Sequence, residues 1–308
     1  MMTSARSQLI TIVIPVYNRA DTIGRTLASI DAQTMQPATL VLVDNASRDA
    51  SLSILNQWAA THECVTVATQ PRPGAPAARN RGLEEVRTPY VMFFDSDDVM
   101  LPGHVEEFDR ALRDNPGIDI VGRDIVTRFL DGSERRLYFK AGPDAMFHHM
   151  FRGSLSTARF VARTELVRAV GGWDESLKGW DDFELGVRLL LTRPTLLDIG
   201  GKPSVIALQT EESLTGLSFT AHPERWEPSL EIIRELAVKS GDPRMVRWAD
   251  ARAMVLAAQY AREGSHVLAR RLYDKTIART DAPRRMALLY HHNRIFGRLT
   301  WPLARILL

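Results

Sequence analysis

Four apolar runs punctuate the first hundred residues: ITIVIPVY (10–17), TLVLVDN (39–45), VTVAT (65–69) and YVMFFD (90–95). Each is continuous in hydrophobicity rather than alternating, and most are rich in β-branched residues, so each predicts a strand covered on both faces. The stretches between them carry helical periodicity and start signals: Asp21 before TIGRTLASI, Ser47 or Asp49 before ASLSILNQWAA, and Pro102 before HVEEFDRALRD, which Asn115-Pro116 stops. Strand and helix alternate four times. The expected class is therefore α/β, a Rossmann-like, mainly parallel sheet flanked by helices, with ligands beyond the carboxyl ends of the strands.

That rim gathers Asn18-Arg19 after the first strand, Asp44-Asn45 after the second and Asp95 to Asp98 after the fourth. The third strand leads into QPRPGAPAARNRG, a Pro- and Gly-punctuated loop before a helix bearing Arg79 and Arg81. Three carboxylates within four residues repel one another unless a cation or arginines compensate. Magnesium or manganese suits such oxygen ligands and leaves positions for substrate phosphates. Further on, GGWDESLKGWDDFELGVRL places a permissive Gly171-Gly172 turn before a helix opened by Asp181-Asp182, whose Phe183, Val187 and Leu190 share one face.

From about Glu224 the material changes to successive helices, SLEIIRELAVKS, RMVRWADARAMVLAAQYAREG and VLARRLYDKTIART, separated by Gly-Asp-Pro and Gly-Ser breaks. After Asp281 no acid follows, while Arg284, Arg285, Arg294, Arg298 and Arg305 alternate with apolar residues, the pattern of an interface helix or of a helix packed with a basic outer face. No run reaches the roughly 18 apolar residues that span a bilayer. A net charge of +2 is too small to make the whole surface a nucleic-acid footprint, and the single Cys64, in the apolar run CVTVA, is expected to be a buried thiol. MMTSARSQ lacks the apolar core of a secretion signal, so a cytoplasmic location is expected. The turn PVYNRAD lacks the glycines of a dinucleotide-binding loop, which excludes a Rossmann dehydrogenase.

VIPVYNRADTIGRTLASI, VLVDNASRD, AARNRGL, FFDSDD, VGGWDESL and WDDFELGVRL together resemble, in order and spacing over residues 9 to 218, the inverting family 2 glycosyltransferases of GT-A fold. The resemblance implies a catalytic domain over 1–222, with a nucleotide-sugar half at about 9–98 and an acceptor half at about 99–222, followed by a helical region over 223–308. It implies a nucleotide-diphosphate sugar donor, a Mn2+ or Mg2+ ion, and attack by a glycan or lipid-linked acceptor hydroxyl in cell-surface polysaccharide synthesis. Pro15, Tyr17, Asn18 and Arg19 would surround the nucleoside, with Asp44 reading the base edge as for uracil. Asp95, Ser96 and Asp97 match the DxD stretch, with Asp97 and Asp95 at the metal and Asp98 the outlying member, while Arg79 would approach the donor. Asp182 matches the general base; Asp181, where glutamate is common, and Trp173 and Trp180 would face the acceptor.

Two departures stand out. Thr210 occupies the place of a frequent histidine, leaving Glu211, Glu212 or water as a third metal ligand. His222 in HPERW replaces the glutamine of processive synthases, and with no membrane span following it the expectation is a non-processive enzyme. Residues 284–308 offer peripheral contact with an anionic membrane. His148-His149 could serve as ligands, but the expected reading is surface or packing residues. A catalytically silent nucleotide-sugar-binding or scaffold relative is the alternative, opposed by the retained Asp44, Asp97 and Asp182.

Overall fold

The computed structural model describes residues 5–209, 218–297 and 307. The chain opens with β1 (Ala5–Arg6), β2 (Ile10–Val16), α1 (Ile23–Asp31), β3 (Met35–Gln36), β4 (Thr39–Asp44), α2 (Ser51–Ala59), β5 (Val65–Thr69), α3 (Ala75–Glu85) and β6 (Tyr90–Phe93). It continues through β7 (Val99–Met100), α4 (His104–Asp114), β8 (Ile120–Gly122), β9 (Ile125–Arg128), β10 (Glu134–Leu137), α5 (Ala145–Arg152), β11 (Phe160–Arg163), α6 (Thr164–Ala169), α7 (Asp181–Leu191), β12 (Leu196–Asp198) and β13 (Val205–Leu208). Four long helices follow: α8 (Pro223–Ser240), α9 (Pro243–Arg262), α10 (His266–Arg279) and α11 (Pro283–Phe296).

Two compact units result, one formed by Met1–Ser176 with Asp181–Glu212, the other by Leu177–Trp180 with Ser213–Leu308. In the first, a seven-stranded sheet runs β12-β8-β11-β6-β2-β4-β5, parallel except at β11, which is antiparallel to both β8 and β6. The four apolar runs are β2, β4, β5 and β6, and every residue of β2 and β6 is buried. Chain direction across the sheet reverses between β2 and β6, so their carboxyl ends flank a topological switch point, the usual ligand crevice of such sheets. A second, four-stranded sheet runs β10-β9-β13-β7.

Pro15 illustrates how the crevice opens. Val13 accepts from Phe94 N–H on the β6 side and Val16 accepts from Asn45 N–H on the β4 side. Because groups alternate along a strand, Pro15 faces the β6 side, past the last paired residue Phe93, where its missing N–H deprives no ladder.

Some local expectations shift. Helix α1 takes Thr22 rather than Asp21 as its N-terminal flank. Asp49 does serve α2, its Oδ1 accepting from Ser51 N–H at 2.9 Å. Cys64 is exposed, not buried: it turns into β5 with a left-handed φ of 60°, which carries its side chain out of the apolar run.

The helical unit holds its own core, in which Trp226, Leu230, Ile233, Met254, Tyr260, Leu272, Met286 and Leu289 are buried. Within it, Asp250 of α9 is fully buried and bonds Arg234 of α8 at 2.7 Å, with Arg279 of α10 at 3.6 Å. Helix α11 packs against α9 through Met286, Leu289 and Asn293, while Arg284, Arg285 and Arg294 face outward beside exposed Leu288, Ile295 and Phe296. Among the described residues no helix is long and apolar enough to cross a membrane. Arg298 and Arg305 lie outside the described residues, as do Thr210, Glu211 and Glu212.

Candidate active site

The loops after β2 and β4 are stitched to each other. Asn18, in the left-handed region at φ 49°, accepts from Arg48 N–H at 2.8 Å, and its own N–H donates to Ser47 Oγ. Arg19 N–H donates to Ser51 Oγ at 2.7 Å, and Ala20 N–H to Asp49. Tyr17 stands half exposed on this rim. Asn45 clamps the next loop, donating to Gln70 O and Arg72 O and accepting from Gly74 N–H. Asp44 is only 3% exposed; one carboxylate oxygen accepts from Ser47 N–H at 3.2 Å, while Oδ1 is buried with no protein hydrogen-bond partner among the described residues. A buried acceptor left in that condition is costly unless a ligand donor completes it.

The DSDD turn is held from α1. Thr26 Oγ1 lies 2.9 Å from both Ser96 O and Asp98 O, Ser29 Oγ accepts from Met100 N–H, and Arg25 donates to Asp97 O. Asp98 turns inward, its Oδ1 accepting from Leu208 N–H on β13; burial, then the charges of Asp95 and Asp97, push its carboxyl well above the usual range. Asp98 is thus a structural link between the two sheets. Asp97 points to the rim with Arg19 at 3.6 Å, and it too is raised, by burial first and Asp95 second. Ser96 is buried.

Arg79 joins this rim to the second acidic cluster. It is 6% exposed on α3 and donates to Asp95 Oδ1 at 2.8 Å and Asp181 Oδ2 at 2.6 Å, with its guanidinium 4.3 Å over the Trp173 ring. Burial opposes its charge, but Asp181 and Asp95 outweigh that and hold it above its usual value. Its neighbours explain the rest of AARNRG. Asn80 accepts from Trp173 N–H and donates to Trp173 O, clipping the Gly171-Gly172 turn to α3. Gly82 lies against β2 so closely that a Cβ would sit 2.3 Å from Val13.

Asp182 opens α7 beside Asp181, half-buried, with Oδ1 accepting from Phe183 N–H at 2.8 Å. Burial and then the adjacent Asp181 push its carboxyl up to about 6, with Arg79 pulling the other way. A carboxylate poised near neutrality matches a general base. Glu184 and Arg188 pair bidentately at 2.6 Å, and Arg188 also donates to Val170 O and Gly172 O, fixing α7 against the glycine turn.

Trp173 departs from expectation. At 2% exposure, stacked under Arg79 and edge-on to Phe93 at 5.0 Å, it has no free face for a sugar and serves as the platform of the arginine. Asp181 spends an oxygen on Arg79. Trp180 belongs to the helical unit, in a ring cluster with Phe219 and Trp226 and with Arg252 5.3 Å over it. His222 precedes α8, its Nδ1 3.2 Å from Glu224.

Sequence reasoning missed Arg159. It immediately precedes β11, and its backbone carbonyl accepts from Arg123 N–H just past β8 at 3.0 Å. It is 4% exposed, its charge held by Gly153 O at 2.8 Å and by the fields of Asp182 and Asp124, and burial lowers it to about 10. No motif flags a single arginine whose importance comes from antiparallel pairing with a distant strand. Thr26 was equally silent, since a threonine inside a helix reads as ordinary.

The donor set for a metal is all oxygen: Asp97, and the Asp95 oxygen that Arg79 does not take. Among the described residues no three His, Cys, Asp or Glu side chains form a self-sufficient site. Two carboxylates completed by substrate phosphates is the usual arrangement for Mg2+, so these residues fit an ion shared with a diphosphate.

A carboxylate-and-arginine rim at the switch point of a mainly parallel sheet defines an α/β domain of the GT-A class. Residues 11–160 match the model of glycosyl transferase family 2. Similar proteins include the uncharacterized glycosyltransferase YibD of Escherichia coli, 32% identical over 33% of this chain and 29% of that protein. The poly(ribitol-phosphate) beta-glucosyltransferase of Bacillus spizizenii is 42% identical over 30% of this chain and 15% of its own. The matched stretches span about a third or less of the length of the first such relatives. In structure, residues 1–349 of S. aureus TarS with UDP-GlcNAc superpose with TM-score 0.61 at 16% identity, covering 93% of this chain and 89% of that one. The likeness at that identity is one of fold.

Proposed function

We propose that the protein is a non-processive, inverting glycosyltransferase that moves a hexosyl group from a UDP-sugar to a hydroxyl of a glycan or lipid-linked acceptor in cell-surface polysaccharide synthesis. The observation that carries this reading is the continuous line Asp95–Arg79–Asp181, which ties the DxD turn to the helix start where Asp182 stands. Donor and base are thereby held in one frame. TarS has been solved with UDP-GlcNAc, and the mannosyltransferase of Pyrobaculum calidifontis, similar in fold at TM-score 0.50 and 17% identity over 96% of this chain and 89% of that one, with GDP-Man and Mn2+. Both support a nucleotide-sugar donor.

Asp44 Oδ1 suits the imide N–H of uracil, a donor that completes its missing bond. Pro15, Tyr17, Asn18 and Arg19 form the nucleoside wall, and Ser96 with Asp95 the ribose end. Asp97 and Asp95 would hold Mn2+ or Mg2+, which when bound offsets charge on the leaving diphosphate. Asp182 Oδ1 is occupied by Phe183 N–H, so Oδ2 takes the acceptor hydroxyl proton. The hydroxyl oxygen then bonds to the anomeric carbon as the carbon–oxygen bond to diphosphate breaks on the opposite face, which inverts the centre. Outward Arg284, Arg285 and Arg294 with Leu288, Ile295 and Phe296 suit a peripheral seat on the cytoplasmic leaflet. A panel of UDP-, GDP- and dTDP-sugars with manganese tests the reading. Turnover of a UDP-sugar is expected; selective GDP-sugar use without UDP binding would overturn the assignment of Asp44, and no turnover of any donor would overturn the activity.

A further inference from the structure

Helix α5 lies against α7, and His149 is the residue of α5 that hydrogen-bonds across to it. This side chain is fully buried. Its Nδ1 accepts from Leu155 N–H at 3.0 Å, which requires a lone pair there and so places the ring proton on Nε2. Nε2–H then donates to Phe183 O at 2.8 Å, in the first turn of α7. The His149 and Phe183 rings are 5.3 Å apart. One turn along, a Cβ on Gly186 would fall 2.2 Å from His149 Nε2, so a glycine in mid-helix, unfavourable by itself, is the residue that admits the ring.

Phe183 is held from both sides. Its N–H donates to Asp182 Oδ1 and its carbonyl accepts from His149, while Glu184 and Arg188 lock the same turn to the glycine loop. We infer that His149 is a positioning residue for the base, bracing the first turn of α7 so that the Asp182 carboxylate keeps one direction. The inference rests on the reading of Asp182 given above. His149 touches no reacting atom; it acts through the Phe183 backbone. The HHMF stretch, which reads as surface or packing in the sequence, thus contributes one side chain to the order of the site.

Three full-length variants test this: His149→Leu, which keeps bulk and loses both hydrogen bonds; Gly186→Ala, which drives the ring off α7; and His149→Ala with Gly186→Ala, which restores space without the bond. Turnover would be measured with the donor the unmodified chain uses, alongside UDP affinity and melting temperature. Both single variants should lose kcat by about 10- to 100-fold, the scale of a misplaced catalytic group, with UDP affinity within about two-fold. The double variant should regain melting temperature but not kcat. Recovery of kcat to within about two-fold of the parent, or full kcat in His149→Leu, would show the ring to be filler and overturn the inference. Hydrogen exchange of the Phe183 to Val187 amides gives a reading independent of turnover. Faster exchange in His149→Leu supports the brace; unchanged exchange overturns it. If the unmodified chain turns over no donor while exchange does speed up, the activity reading fails and the brace on α7 stands.

Discussion

Asp182 concentrates the electrostatics of the site in one carboxyl, which burial and Asp181 push up to about 6. Two outcomes follow with opposite dependence on its charge. Transfer needs the ionised form, so kcat should rise through about pH 6 and fall below it, and Asp182→Asn should lose about 10² to 10⁴ in rate while still binding UDP. Folding prefers the neutral form: the native state holds the proton more tightly than the unfolded chain, so this group costs stability as pH rises from about 4 to 6. Asp182→Asn should therefore melt higher than the parent at pH 7.5, with the gain fading at pH 4.5. Arg79 is the converse case. Replacing it by Met leaves Asp95 and Asp181 without their shared cation, and a loss of about 3–5 kcal/mol is expected in urea unfolding at neutral pH, the cost of stranding one side of a buried pair.

At the scale of elements, α3 works as a spacer with three differently employed faces. Arg79 reaches the acids, Asn80 the glycine turn and Gly82 the sheet. Gly82→Ala should cost about 1–3 kcal/mol by overpacking against Val13, visible as a lower urea midpoint with unchanged slope. The strands and most helices were legible because continuous apolar runs and 3.6-residue periodicity report burial directly. The role of β11 was not. FVAR carries no unusual pattern, yet its antiparallel insertion between β8 and β6 carries the preceding Arg159 into the field of Asp182. Register between distant strands is a tertiary quantity, and single-strand patterns do not encode it.

For the whole molecule, the helical unit changes what a test of membrane contact must be. Deleting residues from 284 onward would strip α11 from α9 and take away the buried Met286 and Leu289, uncovering the apolar surface beneath them, at a cost of about 1.5–3 kcal/mol for each burial lost. The informative variant keeps the helix and replaces Arg284, Arg285 and Arg294 with Gln. Each arginine near an anionic leaflet contributes roughly 1 kcal/mol before screening, so at low salt the triple variant should bind phosphatidylserine vesicles about 10²-fold less, with donor turnover unchanged. Equal vesicle binding by both proteins would remove α11 from the interface. Chelation, or Asp97→Ala, should abolish donor turnover without lowering the melting temperature, because that carboxylate is raised by burial and by Asp95 and does not stabilise the fold.

The sequence by itself determined the class of fold, the order of its strands along the chain and the acids at their carboxyl ends, since apolar runs, turn residues and clustered carboxylates are local properties. It also singled out Asp44, Asp97 and Asp182 as candidates. Only the tertiary structure decided what each neighbour does: that Asp98 faces inward to β13, that Trp173 lies under Arg79, that Cys64 points outward, and that His149 and Arg159 surround the turn bearing Asp182. Direction, burial and partner arise when segments far apart in sequence pack together, and a side chain's charge and role are set by what it then meets.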